Sequence, residues 1–460
     1  MLNALWVGFF LAAFLIASFK LVFLGDADIF AALVKALFDS SKTAFEIALG
    51  LTGVMALWLA ILTGLVGAAA AGATERGPRL AYLLAPSYLL ALLPAWGLPQ
   101  NPGGVGLGVM KIGERAGMLE LLTRGLAPLF RRLFPEVPPN HPALGAMTMN
   151  MGANMLGLDN AATPLGIKAM QELQKLNPSS DTASDAQILF LVINTASVTL
   201  LPVTIFTYRA QLGAADPTDV FVPLLITTYL GTLVGLFVTG LFQKLHLWNR
   251  VTLVYLGGAT ALVGGMVAYF GSLDAAAMTR QSSILSNVLL CGLIATFLLM
   301  AVRRRVNAYE AFIEGAREGF HTAVTIIPYL VAMLVAIAVF RASGALDLLM
   351  GGIRGAVLAL GFDARWVDAL PTALMKPFSG SGARAMMIDT MQVYGADSFA
   401  GRLASIVQGS TETTFYVLAV YFGAVGIRRV RHAVACGLIA DVAGIFAAIG
   451  MAYLFFGAVA

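Results

Sequence analysis

The sequence has few of the residue types on which most soluble enzymes depend. Only 12% of its 460 residues are charged, whereas 59% are hydrophobic, so water cannot be the solvent for most of its surface. Histidine and cysteine are also scarce. The four histidines share no ligand spacing, and Cys291 and Cys436 both lie in apolar runs. These scarcities argue against a metalloenzyme, a disulfide scaffold and a thiolate metal site.

Motifs for cofactors and catalysis are missing as well. The chain has no phosphate loop, no dinucleotide fingerprint and no Ser/His/Asp arrangement, so we predict no enzyme activity, no cofactor and no metal. An intramembrane hydrolase stays formally open. The formal net charge of +4 could suggest a nucleic-acid partner, but Lys and Arg cluster at the ends of apolar runs. That distribution is typical of a membrane protein with a positively charged cytoplasmic side, and we predict no nucleic-acid partner.

Long apolar runs are what the sequence does contain. A helix needs roughly 20 apolar residues to cross a bilayer, and several runs reach that length. The first lacks a basic start and a small-residue cleavage site, so we interpret it as a retained anchor. The runs are Leu2 to Leu24, Ile188 to Tyr208, Val220 to Phe242, Val251 to Phe270 and Ile284 to Val302. We predict an all-α, polytopic membrane protein with lipids as its surroundings.

The two halves of the chain resemble each other. RAGMLELL at 115–122 corresponds to RASGALDLL at 341–349, which places Gly117 opposite Gly344. A repeat at this scale is the mark of a duplicated structural unit.

The same correspondence continues on both sides of these segments. Downstream, NTASVTLLPVTIFTY from Asn194 matches QGSTETTFYVLAVYF from Gln408. Upstream, the segment from Phe45 pairs with the segment from Phe320 at a larger separation. The first half thus contains extra, proline-rich residues near 62–109, which we interpret as an added hairpin or interfacial segment.

Basic residues alternate between corresponding loops of the two halves, so these loops should lie on opposite sides of the membrane. We predict two inverted-topology repeats, residues 1–250 and 283–460, joined by a connecting helix and loop at 251–282. Inverted repeats are typical of secondary transporters, which bind substrate near the bilayer midplane. The compared sets are Lys35 and Lys42 against Arg303, Arg304, Arg305 and Arg317; Lys111, Arg115, Arg124, Arg131 and Arg132 against Arg341, Arg354 and Arg365; and Arg209 against Arg428, Arg429 and Arg431.

Each half also holds a polar, glycine-rich segment between apolar spans. These are Gly152 to Met170 and Leu374 to Asp389. Irregular backbone at membrane depth is tolerated only when it is buried in protein or lines water. We interpret both as re-entrant hairpins, broken at Pro164 and Pro377.

A polar interrupted helix follows each hairpin, and hydrogen-bonding groups concentrate there. Ser and Thr in a membrane helix often bond only to their own helix or to a neighbour, but two clusters at corresponding places favour a substrate site. The candidate substrate-binding residues are Asn154, Asn160, Thr163, Asn194, Thr195, Ser197, Thr199, Ser379, Ser381, Gln408, Ser410, Thr411, Thr413 and Thr414.

Three charged residues are candidates for ion coupling or charge recognition. A carboxylate at the centre of a span costs about 3 kcal/mol, so Glu412 should face a cavity or a partner. It could couple a proton or sodium ion or receive a substrate ammonium, and the alternative is a buried ion pair with Lys376. Asp159 at the first hairpin tip is the third candidate.

We expect Glu412→Gln to abolish pH-dependent transport while expression stays intact, because the amide cannot exchange a proton. Uptake into proteoliposomes across a pH series measures this. Uptake with an unchanged pH profile would remove Glu412 from the coupling role.

Several long segments resemble a known family. GLDNAATPLGIKAMQELQKLNP at 157–178 and FPEVPPNHPALG before it resemble spore maturation protein A. KPFSGSGARAMMID and GRLASIVQGSTETTFYVLAVYFGAVGIRRVRHA resemble spore maturation protein B. The chain looks like a fusion of the two, in the group labelled nucleoside recognition or Gate, although Asp159 stands where the resemblance predicts glycine.

This resemblance implies Gate-type repeats, in which a hairpin and a broken helix handle the ligand, as in concentrative nucleoside transporters and ferrous-iron permeases. The implied substrate is a small polar or zwitterionic solute of the amino acid, dipeptide or nucleoside class. We predict a secondary transporter in the bacterial inner membrane with a cytoplasmic N-terminus. The alternative is a scaffold or regulator of envelope or spore maturation. A homo-oligomer is left open.

Overall fold

The regular structure of the chain is helical. The structure, a computed structural model, describes residues 2–24, scattered positions from 26 to 36, 111–157 and 159–457. In these ranges the only extended pairing is an isolated bridge between Thr182 and Arg429. The prediction of an all-α protein is therefore confirmed. The predicted insert near 62–109 lies outside the described residues.

The helices of the first half differ greatly in length. The first helix is apolar and matches the predicted anchor. The span predicted from Ile188 to Tyr208 is interrupted, and two short helices take its place. The bounds are α1 Leu2–Leu24, α2 Met118–Leu133, α3 Pro142–Met155, α4 Asp159–Leu176, α5 Asp185–Thr195, α6 Val203–Gln211 and α7 Phe221–Gln243.

Two long helices connect the halves, and the second half then repeats the order of the first. The connecting helices are α8 Arg250–Gly271 and α9 Ala275–Arg303. The second half consists of α10 Ala308–Ala342, α11 Ala345–Ala359, a 3₁₀ turn at Arg365–Ala369, α12 Leu370–Met375, α13 Gly380–Tyr394, α14 Phe399–Ser410, α15 Thr414–Gly423 and α16 Ala433–Phe456.

Helices α7, α8, α9 and α16 are long and apolar enough to cross a membrane, within the described part of the chain. Their apolar composition leaves them without a solvated face. The molecule is therefore a multi-pass membrane protein, as its composition predicts.

The backbone supports the predicted duplication at the paired glycines. Gly117 and Gly344 both adopt left-handed conformations, with φ of 80° and 81°, and each directly precedes a helix. Left-handed backbone is costly for residues with a Cβ. The same turn is thus built at corresponding positions of the two halves.

Both interrupted helices begin with a serine cap. Ser184 accepts a hydrogen bond from the backbone of Gln187 at the start of α5, and Ser398 accepts one from Gly401 at the start of α14. Each cap satisfies an otherwise unpaired N–H group of the first turn. The two half-helices then end at Thr195 and Ser410.

The first hairpin is broken at a different place from the one predicted. Pro164 lies inside α4, and the chain turns at Leu156 and Gly157, where Gly157 has a φ of 68°. Pro164 is the sixth residue of α4, so its missing N–H removes only the hydrogen bond to the carbonyl of Asn160, and the helix continues through it. In the second hairpin the turn contains Pro377, between α12 and α13, as predicted.

The two broken helices, α5–α6 and α14–α15, lie antiparallel. At one end Arg209 of α6 donates to the carbonyl of Ala396, just before α14, over 2.7 Å. At the other end the N–H of Ala183, just before α5, donates to the carbonyl of Arg429, which follows α15, over 3.0 Å. We name these the Arg209 end and the Arg429 end. Inverted repeats require this antiparallel arrangement. That a two-fold axis in the membrane plane relates the complete halves stays a prediction.

Candidate functional site

The two broken helices touch at their breaks. The backbone N–H of Glu412, between α14 and α15, donates to the carbonyl of Thr195, the last residue of α5, over 2.6 Å. That carbonyl has no partner within its own helix because the helix ends there. The Thr195 carbonyl of the first half thus accepts a hydrogen bond from an N–H group that the break in the second half leaves without a helical partner. The two breaks therefore lie together and form one locus.

Each hairpin turn lies against the break of its own half. In the first half, the N–H of Leu200 in the extended segment donates to the carbonyl of Met155 at the end of α3 over 2.8 Å. In the second half, the N–H of Phe415 donates to the carbonyl of Pro377 in the hairpin turn over 3.0 Å. Two turns and two breaks therefore meet in the interior.

A buried amide network extends from the first break. Asn194 donates to the side-chain oxygen of Asn150, and Asn150 donates to the carbonyl of Ala162 over 2.7 Å. The Tyr421 hydroxyl lies 3.3 Å from the Asn150 amide nitrogen and donates to Asn194 over 3.4 Å. Asn150 and Asn194 are both buried. This network joins the first hairpin, the first broken helix and α15.

Some of the predicted site hydroxyls have local structural roles. Thr195 donates to the carbonyl of Val192, Ser410 donates to that of Val407, and Ser379 caps α13 by accepting from the N–H of Gly382. These bonds satisfy the hydroxyl within its own helix or turn. For these three residues the structure supports the local alternative that the sequence left open.

Other predicted residues are placed at the breaks. Ser197, Gln408, Thr411, Thr413 and Thr414 are all buried. Thr199 is half-buried, and its N–H lies 3.4 Å from the Thr228 hydroxyl. Ser381 and Thr163 are half-buried in the two hairpins, and the side chains of Asp159 and Asn160 lie outside the described part.

Three buried polar atoms at this locus lack a hydrogen-bond partner among the described residues. They are the amide nitrogen of Asn154, the side-chain oxygen of Gln408 and the Oδ1 atom of Asp441. An unsatisfied buried polar group costs about 1–3 kcal/mol, so native structures retain few of them. A polar ligand that fills these positions would remove that cost.

Asp441 is a candidate site residue that the sequence reasoning missed. It lies in the apolar helix α16, is 1% exposed, and accepts a hydrogen bond from the Thr414 hydroxyl through Oδ2 over 2.7 Å. The signal was available, because a carboxylate within a membrane span is a functional candidate by default.

Glycines bring α16 close to the break. A Cβ at Gly437 would lie 2.8 Å from the Thr414 Cγ2 atom, and one at Gly444 would lie 3.0 Å from that of Thr411. These glycines share a helix face with Asp441, four residues after one and three before the other. Only the absence of side chains at both positions allows the carboxylate to reach the break.

Glu412 and Lys376, the two residues of the alternative ion-pair interpretation, differ in burial. The Lys376 ammonium is buried and donates to the carbonyl of Gln408 over 2.7 Å, whereas the Glu412 side chain is exposed. A carboxylate within a span normally faces water or a charged partner.

A buried ion cluster closes the Arg209 end. Arg209 lies 2.8 Å from an Asp219 carboxylate oxygen and 3.1 Å from one of Asp397, and Arg402 lies 2.7 Å from the second Asp219 oxygen. The cluster links α6 of the first half to the start of α14 in the second. Beside it lies a cavity of about 560 Å³ whose lining includes Asp216, Asp219, Arg280, Ser283 and Arg402.

The Arg429 end has a backbone junction and a second cavity. The Asp181 carbonyl accepts from the N–H groups of Arg428 and Arg429. The Thr182 hydroxyl, which donates to the Asp181 carboxylate, keeps the pKa of that group below its usual range. The cavity, of about 270 Å³, has Phe134, Asp185, Gln243, Lys244 and His246 in its lining. A cavity therefore lies beside each end of the first broken helix.

Comparison with known proteins agrees with this architecture. The family model described as nucleoside recognition (Gate) matches residues 104–211 and 323–428, one segment in each half. Over 165 residues the chain is 52% identical to spore maturation protein B of Bacillus subtilis (strain 168), which covers 36% of this chain and 91% of that protein. Over 122 residues it is 45% identical to spore maturation protein A of the same organism, covering 26% of this chain and 62% of that protein. No solved structure matches the chain.

Proposed function

Because the chain belongs to the family of the spore maturation membrane proteins and carries two nucleoside-recognition (Gate) segments, we propose that it is a secondary transporter of a small polar or zwitterionic solute. The solute binds where the two breaks meet, between the halves. Amino acids, dipeptides and nucleosides are the classes with suitable size and polarity. The observation that carries the proposal is the contact between Thr195 and Glu412, around which buried polar atoms have no hydrogen-bond partner in the described part of the chain.

The geometry supports recognition of both charged ends of a zwitterion. Lys376 supplies a buried ammonium beside the break, and the start of α15 supplies backbone N–H groups that favour an anion. Asp441 and Glu412 supply carboxylates for a cation or ammonium. Gln408 and Asn154 supply an unpaired acceptor and an unpaired donor among the described residues. These groups together suit a solute that carries both signs of charge.

Access from both sides is the second requirement for transport. The cavities beside the Arg209 end and the Arg429 end lie at opposite ends of the first broken helix. Transporters with inverted repeats alternate by moving one unit against the other around a fixed site. The cluster of basic residues at Arg428, Arg429 and Arg431 supports a cytoplasmic location for the Arg429 end.

Cysteine accessibility tests the proposal. With Cys291 and Cys436 replaced by serine, we expect Ser197→Cys and Thr411→Cys to react with an impermeant thiol reagent applied to either face of the membrane, because alternating access exposes the breaks to each side in turn. Ser405→Cys is the matched control. Ser405 is buried on α14 and bonded to the carbonyl of Gly401, so it should stay unreactive from both faces.

The rival function is a scaffold or regulator in envelope or spore maturation, as the names of the relatives suggest. A scaffold would leave Ser197→Cys and Thr411→Cys as unreactive as the control. A thermal-shift screen of nucleosides, amino acids and dipeptides then identifies the solute, since a selective binder stabilises the native state. A screen without any stabilising solute, together with inaccessible breaks, would contradict transport.

A further inference from the structure

Buried polar atoms without hydrogen-bond partners occur where α6 of the first half approaches α13 of the second. They are the Tyr208 hydroxyl, the Nε atom of Arg384 and both amide atoms of Gln211, each without a partner among the described residues. The Arg384 guanidinium lies over the Tyr208 ring, 5.8 Å from its centroid. Gln211 follows Tyr208 by three residues on α6, so the two side chains are neighbours on one helix face. We name these three residues the Arg384 cluster.

Arg384 carries a charge that no acid of the described chain pairs with. Its side chain is half-buried and forms no ion pair in that part of the protein. Arg209 and Arg402, by contrast, both contact a buried carboxylate. The acid on the same helix as Arg384, Asp389, already accepts a hydrogen bond from the Nε atom of Arg341 over 3.3 Å. A buried charge normally has a counter-charge, so an anionic group of a solute would complete this arrangement.

The chemistry of the three side chains suits a carboxylate. A guanidinium presents its N–H donors in a planar fork that matches the two oxygens of a carboxylate. Contact with the face of the Tyr208 ring uses no hydrogen-bond acceptor, so it leaves those donors free. The Tyr208 hydroxyl and the Gln211 amide add neutral donors. A neutral solute such as a nucleoside would leave the charge of Arg384 uncompensated.

The Arg384 cluster lies between the breaks and the Arg209 end. Arg384 follows Gly380 by four residues, which is about 6 Å along the axis of α13. A Cβ at Gly380 would lie 2.9 Å from the Thr413 hydroxyl at the second break. On the other side, Tyr208 directly precedes Arg209. A solute that enters from the Arg209 end would therefore meet the cluster before it reaches the breaks.

We propose that the Arg384 cluster binds a carboxylate of the solute, so that the solute is an amino acid or a dipeptide and not a nucleoside. This assignment rests on the proposed function, which it narrows to one chemical class. Tyr208 and Gln211 belong to the first half and Arg384 to the second. The bound carboxylate thus bridges the two units that move against each other in transporters with inverted repeats.

A thermal-shift comparison of free acids with their amides tests the site. The probes are the standard amino acids and a set of alanyl dipeptides, each paired with its C-terminal amide, together with adenosine and uridine. We expect at least one free acid to raise the apparent Tm of the purified protein by about 5 °C near saturation. Its amide lacks the negative charge and should have no effect, and neither nucleoside should have one. The probe that responds separates an amino acid from a dipeptide as the solute.

Variants of the cluster identify the receptor of the carboxylate. Arg384→Met should abolish the response to the free acid, and Arg384→Lys should weaken its apparent Kd about tenfold, because an ammonium lacks the fork. Tyr208→Phe keeps the ring under the guanidinium but removes the hydroxyl, and should weaken the Kd by a factor of about three to ten. Arg341→Met is the matched control. It breaks the contact with Asp389 and should lower the Tm by about 5 °C, yet keep the response.

The stability of the solute-free protein separates binding from packing. Arg384 has no counter-charge in the described part of the chain, so Arg384→Met should leave the Tm unchanged or raise it. A loss as large as that of Arg341→Met, or an Arg384→Met protein that does not fold, would make Arg384 a structural residue and overturn the proposal. An amide that stabilises as well as its acid, or a response that survives Arg384→Met, would overturn it too.

Failure of this assignment is distinct from failure of the transport proposal. A nucleoside that stabilises the protein would overturn the carboxylate assignment and leave transport standing, whereas unreactive Ser197→Cys and Thr411→Cys would contradict transport whatever the solute. If no probe stabilises the protein, sodium acetate against sodium chloride at equal ionic strength tests the cluster alone. The Tm should then be higher in acetate for the wild-type protein and for Arg341→Met, but not for Arg384→Met. Equal values in the two salts for the wild-type protein would overturn the proposal.

Discussion

Arg209→Met should lower the apparent Tm by roughly 10 °C, the largest loss of stability that we expect from a single side chain in this protein. The Arg209 guanidinium is fully buried and contacts carboxylates of Asp219 and Asp397. Removing one partner of a buried ion pair leaves uncompensated charge and costs about 3–5 kcal/mol. Thermal unfolding of the purified protein in detergent measures the change, with one scan rate throughout because such unfolding is often irreversible.

The matched control lies at the opposite end of the broken-helix pair. The Arg429 side chain is 77% exposed, 3.8 Å from an Asp181 oxygen, and exposed pairs contribute about 0–1 kcal/mol. Arg429→Met should therefore leave the Tm almost unchanged. Arg209→Lys should retain most of the loss, because an ammonium cannot reproduce the forked contacts of the guanidinium. Equal stability of Arg209→Met and Arg429→Met would show that the cluster does not hold the halves together.

Arg209 also marks a limit of sequence reasoning. In the sequence it is the lone basic residue after a polar helix. It was treated as a loop residue when the basic residues of corresponding loops were compared to predict the topology. In the structure its side chain is buried and its partners lie up to about two hundred positions away, at Ala396 and Asp397. The sequence supplies the charge but not the tertiary contacts that decide whether it is solvated. The loop comparison therefore depends on the exposed residues Arg428, Arg429 and Arg431.

Local signals were reliable where the chain determines its own geometry. The correspondence of the paired glycines and the interruption of the span between Ile188 and Tyr208 were predicted from residue types and spacing. Pro164 shows the opposite case. A proline removes one hydrogen bond and can be kept inside a helix, and the sequence could not show that α4 begins at Asp159 and runs through it.

The cost of placing a carboxylate within a membrane span singled out Glu412 in the sequence, but the same argument was not applied to Asp441. Glu412 attracted attention because hydroxyls surround it in sequence, whereas Asp441 stands among apolar residues. The same cost of a charge within a span applies to both. The contact between Asp441 and Thr414 is tertiary, but Gly437 and Gly444 on the same helix face were readable signs of close packing.

Asn150 and Asn154, one turn apart on α3, should separate stability from recognition. Asn150→Ala removes the acceptor of Asn194 and the donor to the Ala162 carbonyl. Each buried group left without its partner costs about 1–3 kcal/mol, so we expect the Tm to fall by roughly 5–10 °C. The Tyr421 hydroxyl has a single proton, which it already donates to Asn194, so it cannot also donate to the Ala162 carbonyl.

Asn154→Ala should give the reverse pattern. The Asn154 amide nitrogen is already buried without a partner among the described residues, so its removal should leave the stability of the solute-free protein unchanged or raise it. It should also weaken or abolish the Tm increase produced by whichever nucleoside, amino acid or dipeptide stabilises the wild-type protein, because the variant cannot donate to the solute. A solute response that survives Asn154→Ala, or a loss of stability equal to that of Asn150→Ala, would mean that the unpaired amide is part of the packing and not of the binding site.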